Sequence, residues 1–291
     1  MARWTRVVLG GVGGLAAAGV TAAVVGGMRW QRATARVVRS LDEAVASTRD
    51  SAARGAPYDP AEIEPLPAPV RRFFQYALTP GMRRVRRVTL TQVGDFAMQP
   101  GSWTRFTAEQ HVSTAPRAFL WSASMPMLGV VPVRVRDSYR DGAGAMLARV
   151  AGIATVADAH DTPAMASGAL LRWLAEAAWY PTALLPSAGV QWIALDPSTA
   201  RATVTDRGTT VSLDVTFAPE GGIVRVRALR YAEARKAMTP WSGSFEDYRR
   251  VDGMMIPMRG EVGWGEGDAY EPYWRGRLDV VRYDFAPPIH D

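Results

Sequence analysis

The sequence predicts a mainly β fold with helices, of the α+β class. It is one curved antiparallel sheet or incomplete barrel closed by helices and preceded by one transmembrane helix. Three observations carry this. From residue 85 onward apolar and polar residues alternate with a period of two through segment after segment, broken at Gly, Pro and Asp. Only two segments of the main domain, 69–81 and 166–180, change to the helical period. Residues 7–28, "VVLGGVGGLAAAGVTAAVVGGM", carry no charge over a length that crosses the hydrocarbon core as a helix.

The elements follow in chain order. Residues 1–28 read as an N-terminal transmembrane anchor, with Gly10 and Gly14 on one face. A cleaved signal peptide is the alternative, but Arg29, Trp30 and Arg32 stand where a cleavage site has small residues. Residues 29–65 read as a juxtamembrane Ala- and Arg-rich helix and a linker, its regularity ended by Gly55, Pro57, Pro60 and Pro65. A single curved-sheet domain then runs over 66–286, leaving 287–291 as a tail. Its first helix places Val70, Phe73, Phe74 and Ala77 on one stripe, between Pro69 and Pro80–Gly81.

Strands are expected at 88–98, 103–112, 118–125 and 131–140, with "RDGAG" as a hairpin turn and two weaker strands within 145–159. After the helix over 166–180, Pro181 and Pro186 interrupt, and strand character resumes at "VQWIALDP". In "ATVTDRGTTVSLDVTF", Val211, Leu213, Val215 and Phe217 face one way and Ser212, Asp214 and Thr216 the other. "IVRVRALRY", "WSGSFEDYRRVDG", "MMIPMRGEVGWG" and "WRGRLDVVRYDF" continue the pattern. A nucleotide-binding α/β fold lacks support, since no strand-linked Gly-rich loop is present.

Charge narrows the partners. The formal net charge is +6, yet six arginines, Arg3, Arg6, Arg29, Arg32, Arg36 and Arg39, precede the first acid, Asp42. Residues 40–291 carry 28 basic and 28 acidic side chains, so nucleic acid is not expected. The cluster Arg83, Arg84, Arg86 and Arg87 reads as solvated surface or a contact for anionic lipid. With no cysteine, disulfides, thiolate metal sites and a cysteine nucleophile are excluded. Four arginines follow the span closely against two before it, which places the main domain on the cytoplasmic side.

The pieces "LPAPVRRFF", "WTRFTAEQ", "FLWSA", "DSYRDGAG", "LLRWLAEAAWYPTALLP", "VQW", "PWSGSFEDYRRVDGMMIP" and "VRYDF" occur in an order similar to the bacterial families DUF6544 and DUF6920. These are families without a settled activity. The resemblance implies a LolA-like fold, that of lipoprotein carriers: a curved sheet with helices closing an apolar concavity. It also implies an exported domain at a bacterial cell membrane, against the arginine bias. A fixed anchor departs from soluble carriers and excludes free shuttling.

The candidate site follows from "LLRWLAEAAWYP". On a helix Arg172 and Glu176 point the same way, with Trp179 beside them. The pair suits either a helix-to-sheet clamp or the polar end of a ligand site. Trp192, Trp241, Trp264 and Tyr273 are the large side chains that a concave sheet could offer to an acyl chain; each also suits plain core packing. The expected function is binding of membrane lipid or an apolar small molecule by a membrane-anchored protein; the alternative is a structural or protein-binding membrane component whose partner is a membrane protein. No metal site, catalytic residue or cofactor is assigned. The hydrolase alternative rests on Glu109 and His111, which share a strand face.

Overall fold

A computed structural model describes residues 2–47, 56–127 and 131–287, the side chains of residues 2–20 and of Met127 excepted. Among the described residues there are three α-helices: α1 (Ala2–Ser47), α2 (Ala68–Ala77) and α3 (Pro163–Glu176). The first six strands are β1 (Val85–Gln99), β2 (Ser102–Thr114), β3 (Arg117–Met127), β4 (Val131–Arg140), β5 (Ala143–Val150) and β6 (Ala154–His160). After α3 come β7 (Gln191–Ala194), β8 (Thr199–Asp206), β9 (Thr209–Phe217) and β10 (Ile223–Ala232). The last three are β11 (Ala237–Val251), β12 (Met254–Trp264) and β13 (Glu271–Phe285).

All thirteen strands form one sheet in the order β6-β5-β4-β3-β2-β1-β13-β12-β11-β10-β9-β8-β7. Each half is a sequential antiparallel meander, and the halves join where β1 pairs with β13, from Val85↔Phe285 to Phe96↔Trp274. The alternation behaves as the sequence predicts: Val211, Leu213, Val215 and Phe217 of β9 are all buried, while the positions between them are not. Inward-facing residues of both halves merge into a single apolar core. A mainly β, curved antiparallel sheet with few helices is therefore the observed class.

Residues 163–188 fill the concavity. Thr162 caps α3 by accepting from Met165 N at 3.1 Å, and Pro163 occupies its first turn. The helix starts earlier and stops sooner than the period over 166–180 implies. After Glu176 the chain tightens into 3₁₀ turns at Ala177–Trp179, Pro181–Leu184 and Pro186–Ala188. The cause is Pro181, which keeps Tyr180 out of the helical region (φ −142°, ψ 66°). Since α3 touches β3–β5 on one side and β9–β10 on the other, it is buried almost all round, including Leu170, Trp173 and Leu174.

Hydrogen bonds pin the later part of this segment. Tyr180 Oη donates to Trp173 O (2.7 Å) and Tyr283 Oη to Trp179 O (2.5 Å). Thr182 Oγ1 accepts from Val85 N (3.0 Å), and Glu62 accepts from Ser187 N (2.7 Å) and Arg84 (2.6 Å). The two halves are tied directly as well, by Tyr139 Oη of β4 donating to Asp206 of β8 at 2.6 Å. On the far side, α2 buries the predicted stripe Val70, Phe73, Phe74 and Ala77.

The outer face carries α1. Leu41 packs on Ala118 and Leu120, so the "AFLW" run of β3 is covered on both faces. The helix does not break at Met28, and its later part lies on the sheet. The arginine cluster at 83–87 is a set of staples rather than free surface. Arg84 pairs with Glu62, Arg87 with Asp42 and Asp284, and Arg86 donates to Val45 O at 2.6 Å. Among the described residues no helix is long and apolar enough to cross a membrane. Most of the predicted span, 7–20 of 7–28, lies outside the residues whose side chains are described.

Candidate functional site

Three strands break their inward apolar phase with a polar residue, and the three meet. In β1 the inward series is Val88, Leu90, Gln92; in β2 it is Phe106, Ala108, Gln110; in β4 it is Val133, Val135, Asp137. Facing them from α3 are Arg172 and Glu176. Arg172 Nη1 donates to Asp137 Oδ2 at 2.7 Å and Nε to Glu176 Oε1 at 2.8 Å. Glu176 Oε2 accepts from Gln110 Nε2 (2.6 Å), Gln110 Oε1 from Gln92 Nε2 (3.2 Å), and Gln92 Oε1 from Trp121 Nε1 (2.8 Å). The guanidinium also stacks 5.0 Å from Phe119 and 5.1 Å from Trp121.

The electrostatics fit a brace. Burial by itself disfavours the Arg172 cation, but the Glu176 and Asp137 carboxylates outweigh it and raise its pKa above the ordinary arginine value. The ion-paired side chains keep only 13–20% exposure. Each chain member has a partner inside the protein. Burial, and then the charge of Glu176, push the Tyr180 phenol well up.

The predicted aromatic residues separate into three places. Trp179 lies mid-wall, 6.1 Å from Phe245 and 6.4 Å from Trp274, and its buried Nε1 has no hydrogen-bond partner. Trp241, Trp264 and Tyr273 do come together: Trp241 Nε1 donates to Tyr273 Oη (2.9 Å), and Trp264 stacks on Tyr273 at 5.9 Å. Trp192 stands apart, packed on Phe74 and Phe217 with its Nε1 donating to Leu184 O at 3.0 Å. Gln92, Gln110, Asp137 and Trp121 were not among the expected site residues. Their signal is the polar residue in an apolar phase.

The concavity considered for an apolar ligand is occupied by Leu170, Trp173, Leu174, Tyr180 and Leu185, each at most 1% exposed. Two open clefts lie on the outer side of the sheet. One cleft of about 380 Å³ runs between α1 (Val38, Leu41, Val45) and Thr89, His111 and Arg282. Another of about 300 Å³ is walled by Asp95, Arg105, Glu261 and Arg275. Neither borders Arg172, Glu176 or Trp179. His111 Nε2 sits 2.6 Å from Glu109 Oε1 on the outer face, opposite Leu120. Among the described residues no three His, Asp or Glu side chains are grouped to hold a metal ion.

The other distinctive place is the root of α1. Gly26 and Gly27 are buried against the β5–β6 turn: a Cβ on Gly26 would lie 2.5 Å from Ile153 and 2.7 Å from Ala151 O. Trp30, 3% exposed, lies under the Arg136 guanidinium at 4.3 Å. Beside this contact Val24, Met28, Ile153 and Val156 are all exposed apolar side chains, at 43–56%.

A family model described as a family of unknown function, DUF6920, matches residues 64–283. No curated protein matches the chain in sequence. Among solved structures it is similar to a LolA superfamily protein of Nitrosomonas europaea at 10% identity and TM-score 0.30, covering 76% of this chain and 94% of that one. It is similar to a beta-barrel-like DUF1849 protein of Brucella abortus at 10% identity and TM-score 0.22, over 69% and 99% of the two chains. A porin-like protein of Bacteroides uniformis gives 8% identity, TM-score 0.25 and coverage of 72% and 99%.

Proposed function

The chain belongs to the DUF6920 family of unknown function, and we propose that it is a membrane-anchored domain that binds lipid at the bilayer surface. One observation carries the reading: α1 is a single helix from Ala2 to Ser47, and the apolar run 7–28 leads straight into its packing on the sheet. A span of roughly 20 apolar residues matches the hydrocarbon core. Gly26, Gly27 and Trp30 then hold the domain to the end of that span, with the apolar side chains of the root beside it. The closed interior serves as a rigid body, braced by Arg172, Glu176 and Asp137.

Carbonate washing of membranes from expressing cells tests the anchor. The full chain should stay in the pellet, and Leu15→Arg/Val20→Arg should move it to the supernatant. Release of the unaltered chain by carbonate ends this reading.

A second reading places an apolar ligand inside the sheet, where it would have to displace part of residues 163–188 from the concavity they fill. It is favoured by Trp179, whose buried indole N–H lacks an acceptor in a wall of aromatic rings. Native mass spectrometry from mild detergent decides it. A bound mass that is lost on Trp179→Phe supports an interior ligand; a chain that flies only empty removes it.

A further inference from the structure

Elsewhere in this molecule, arginines drawn into packed surroundings meet carboxylates at Arg172 and Arg84, while Arg86 donates to the Val45 carbonyl. At the root of α1 they do not. Arg134 and Arg149 face each other across β4 and β5 on the outer face, with Arg136 two residues along β4 and Arg36 above it on α1. Their hydrogen bonds go to neutral groups: Arg36 Nε to Arg32 O (3.5 Å) and Arg149 Nε to Thr155 Oγ1 (3.1 Å). Arg134 Nε is buried with no partner. The pKa of Arg136 is held below the usual arginine value, first by burial and then by the charges of Arg149 and Arg36. Among the described residues none of the four makes an ion pair.

Clustered guanidinium groups drawn partly out of water repel one another and lose hydration, a cost that the stacking of Arg136 on Trp30 offsets at one position and that an anion would offset for the cluster. Guanidinium forks match phosphate oxygens in pairs. The cluster stands where the apolar run leaves the sheet, which is headgroup depth if that run is in the bilayer. Resting on the membrane reading above, we propose that Arg36, Arg134, Arg136 and Arg149 receive the phosphate of an anionic phospholipid. Its acyl chains would lie along Val24, Met28, Ile153 and Val156. The glycine contact between α1 and the β5–β6 turn fixes those side chains relative to the arginines.

The test uses the full chain in a neutral detergent. Binding of phosphatidylglycerol, phosphatidylcholine with the same acyl chains, inorganic phosphate and a short DNA duplex is measured by native mass spectrometry and by thermal shift. Phosphatidylglycerol should bind at least tenfold more tightly than phosphatidylcholine. An arginine at an anionic lipid surface is worth roughly fivefold, so Arg134→Gln/Arg149→Gln should weaken phosphatidylglycerol about 25-fold. The same variant, relieved of two like charges, should melt no lower than the parent when lipid-free, whereas loss of a structural brace would lower it. Equal binding of the two lipids, or a preference surviving in the variant, overturns the proposal. So does inorganic phosphate binding as tightly as phosphatidylglycerol, or DNA displacing it. Failure of the anchor reads out in the carbonate pellet and failure of this site in the micelle, so the two are separable.

Discussion

Arg172 holds two carboxylates that pair with no other cation among the described residues, Asp137 on β4 and Glu176 on its own helix. At an exposed site such an i,i+4 pair contributes roughly 0.3–0.5 kcal/mol. Here the groups are largely withdrawn from water, so the larger effect is what remains when one is taken away. Arg172→Leu leaves two like charges facing each other and removes the partner that orients Glu176 toward Gln110. Breaking a buried ion pair in this way costs about 3–5 kcal/mol. The residual exposure places the expected loss at the lower end. Adding Asp137→Asn and Glu176→Gln should restore most of it, because amides keep the shape without the repulsion. Urea midpoints followed by circular dichroism measure both. A loss under 1 kcal/mol for Arg172→Leu would show that the brace carries no strain-bearing role.

At the scale of elements, the strands and the buried stripe of α2 were legible, and the cover supplied by α1 and by all faces of α3 was not. Alternation such as Val211–Leu213–Val215–Phe217 reports one wet face and one dry face, which is local information carried by consecutive residues. The clamp Arg172–Glu176 was visible as an i,i+4 pair on α3. Its partners were legible in principle, since Gln92, Gln110 and Asp137 occupy inward positions where neighbours are apolar; which strands stand side by side is not written locally. The same gap explains α1. Trp30, Val37, Val38, Leu41 and Val45 make a helical stripe within a segment that composition assigns to the membrane side. That stripe has meaning only once Ala118 and Leu120 are known to need cover. The unbroken run "AFLW" in β3 was the signal of a doubly buried strand. The occupied concavity has a similar cause: a 3.6-residue period says that α3 buries a face, and not that every face of it is buried.

For the whole molecule, the topology sets where the sheet opens. Two meanders meet at β1 and β13, and this seam pairs residues from opposite ends of the domain, so it cannot form until both halves are in place. Once formed, each seam strand is bonded on both sides, and Val88, Leu90 and Leu278 among its inward residues are buried. The edges differ. β6 has no buried residue, and β7 buries Trp192 alone. Each edge strand bonds a neighbour on one side only. Local opening free energies run from near zero at such edges to the global value in central strands. A gap of about 4 kcal/mol corresponds to roughly a thousandfold in exchange. Hydrogen exchange on the full chain in detergent should therefore find the backbone amides of 85–99 and 271–285 slower than those of 154–160 and 191–194 by about that factor. Edges protected as strongly as the seam would mean that another chain adds strands to them, and the sheet would then be a fragment of a larger one rather than a self-contained body.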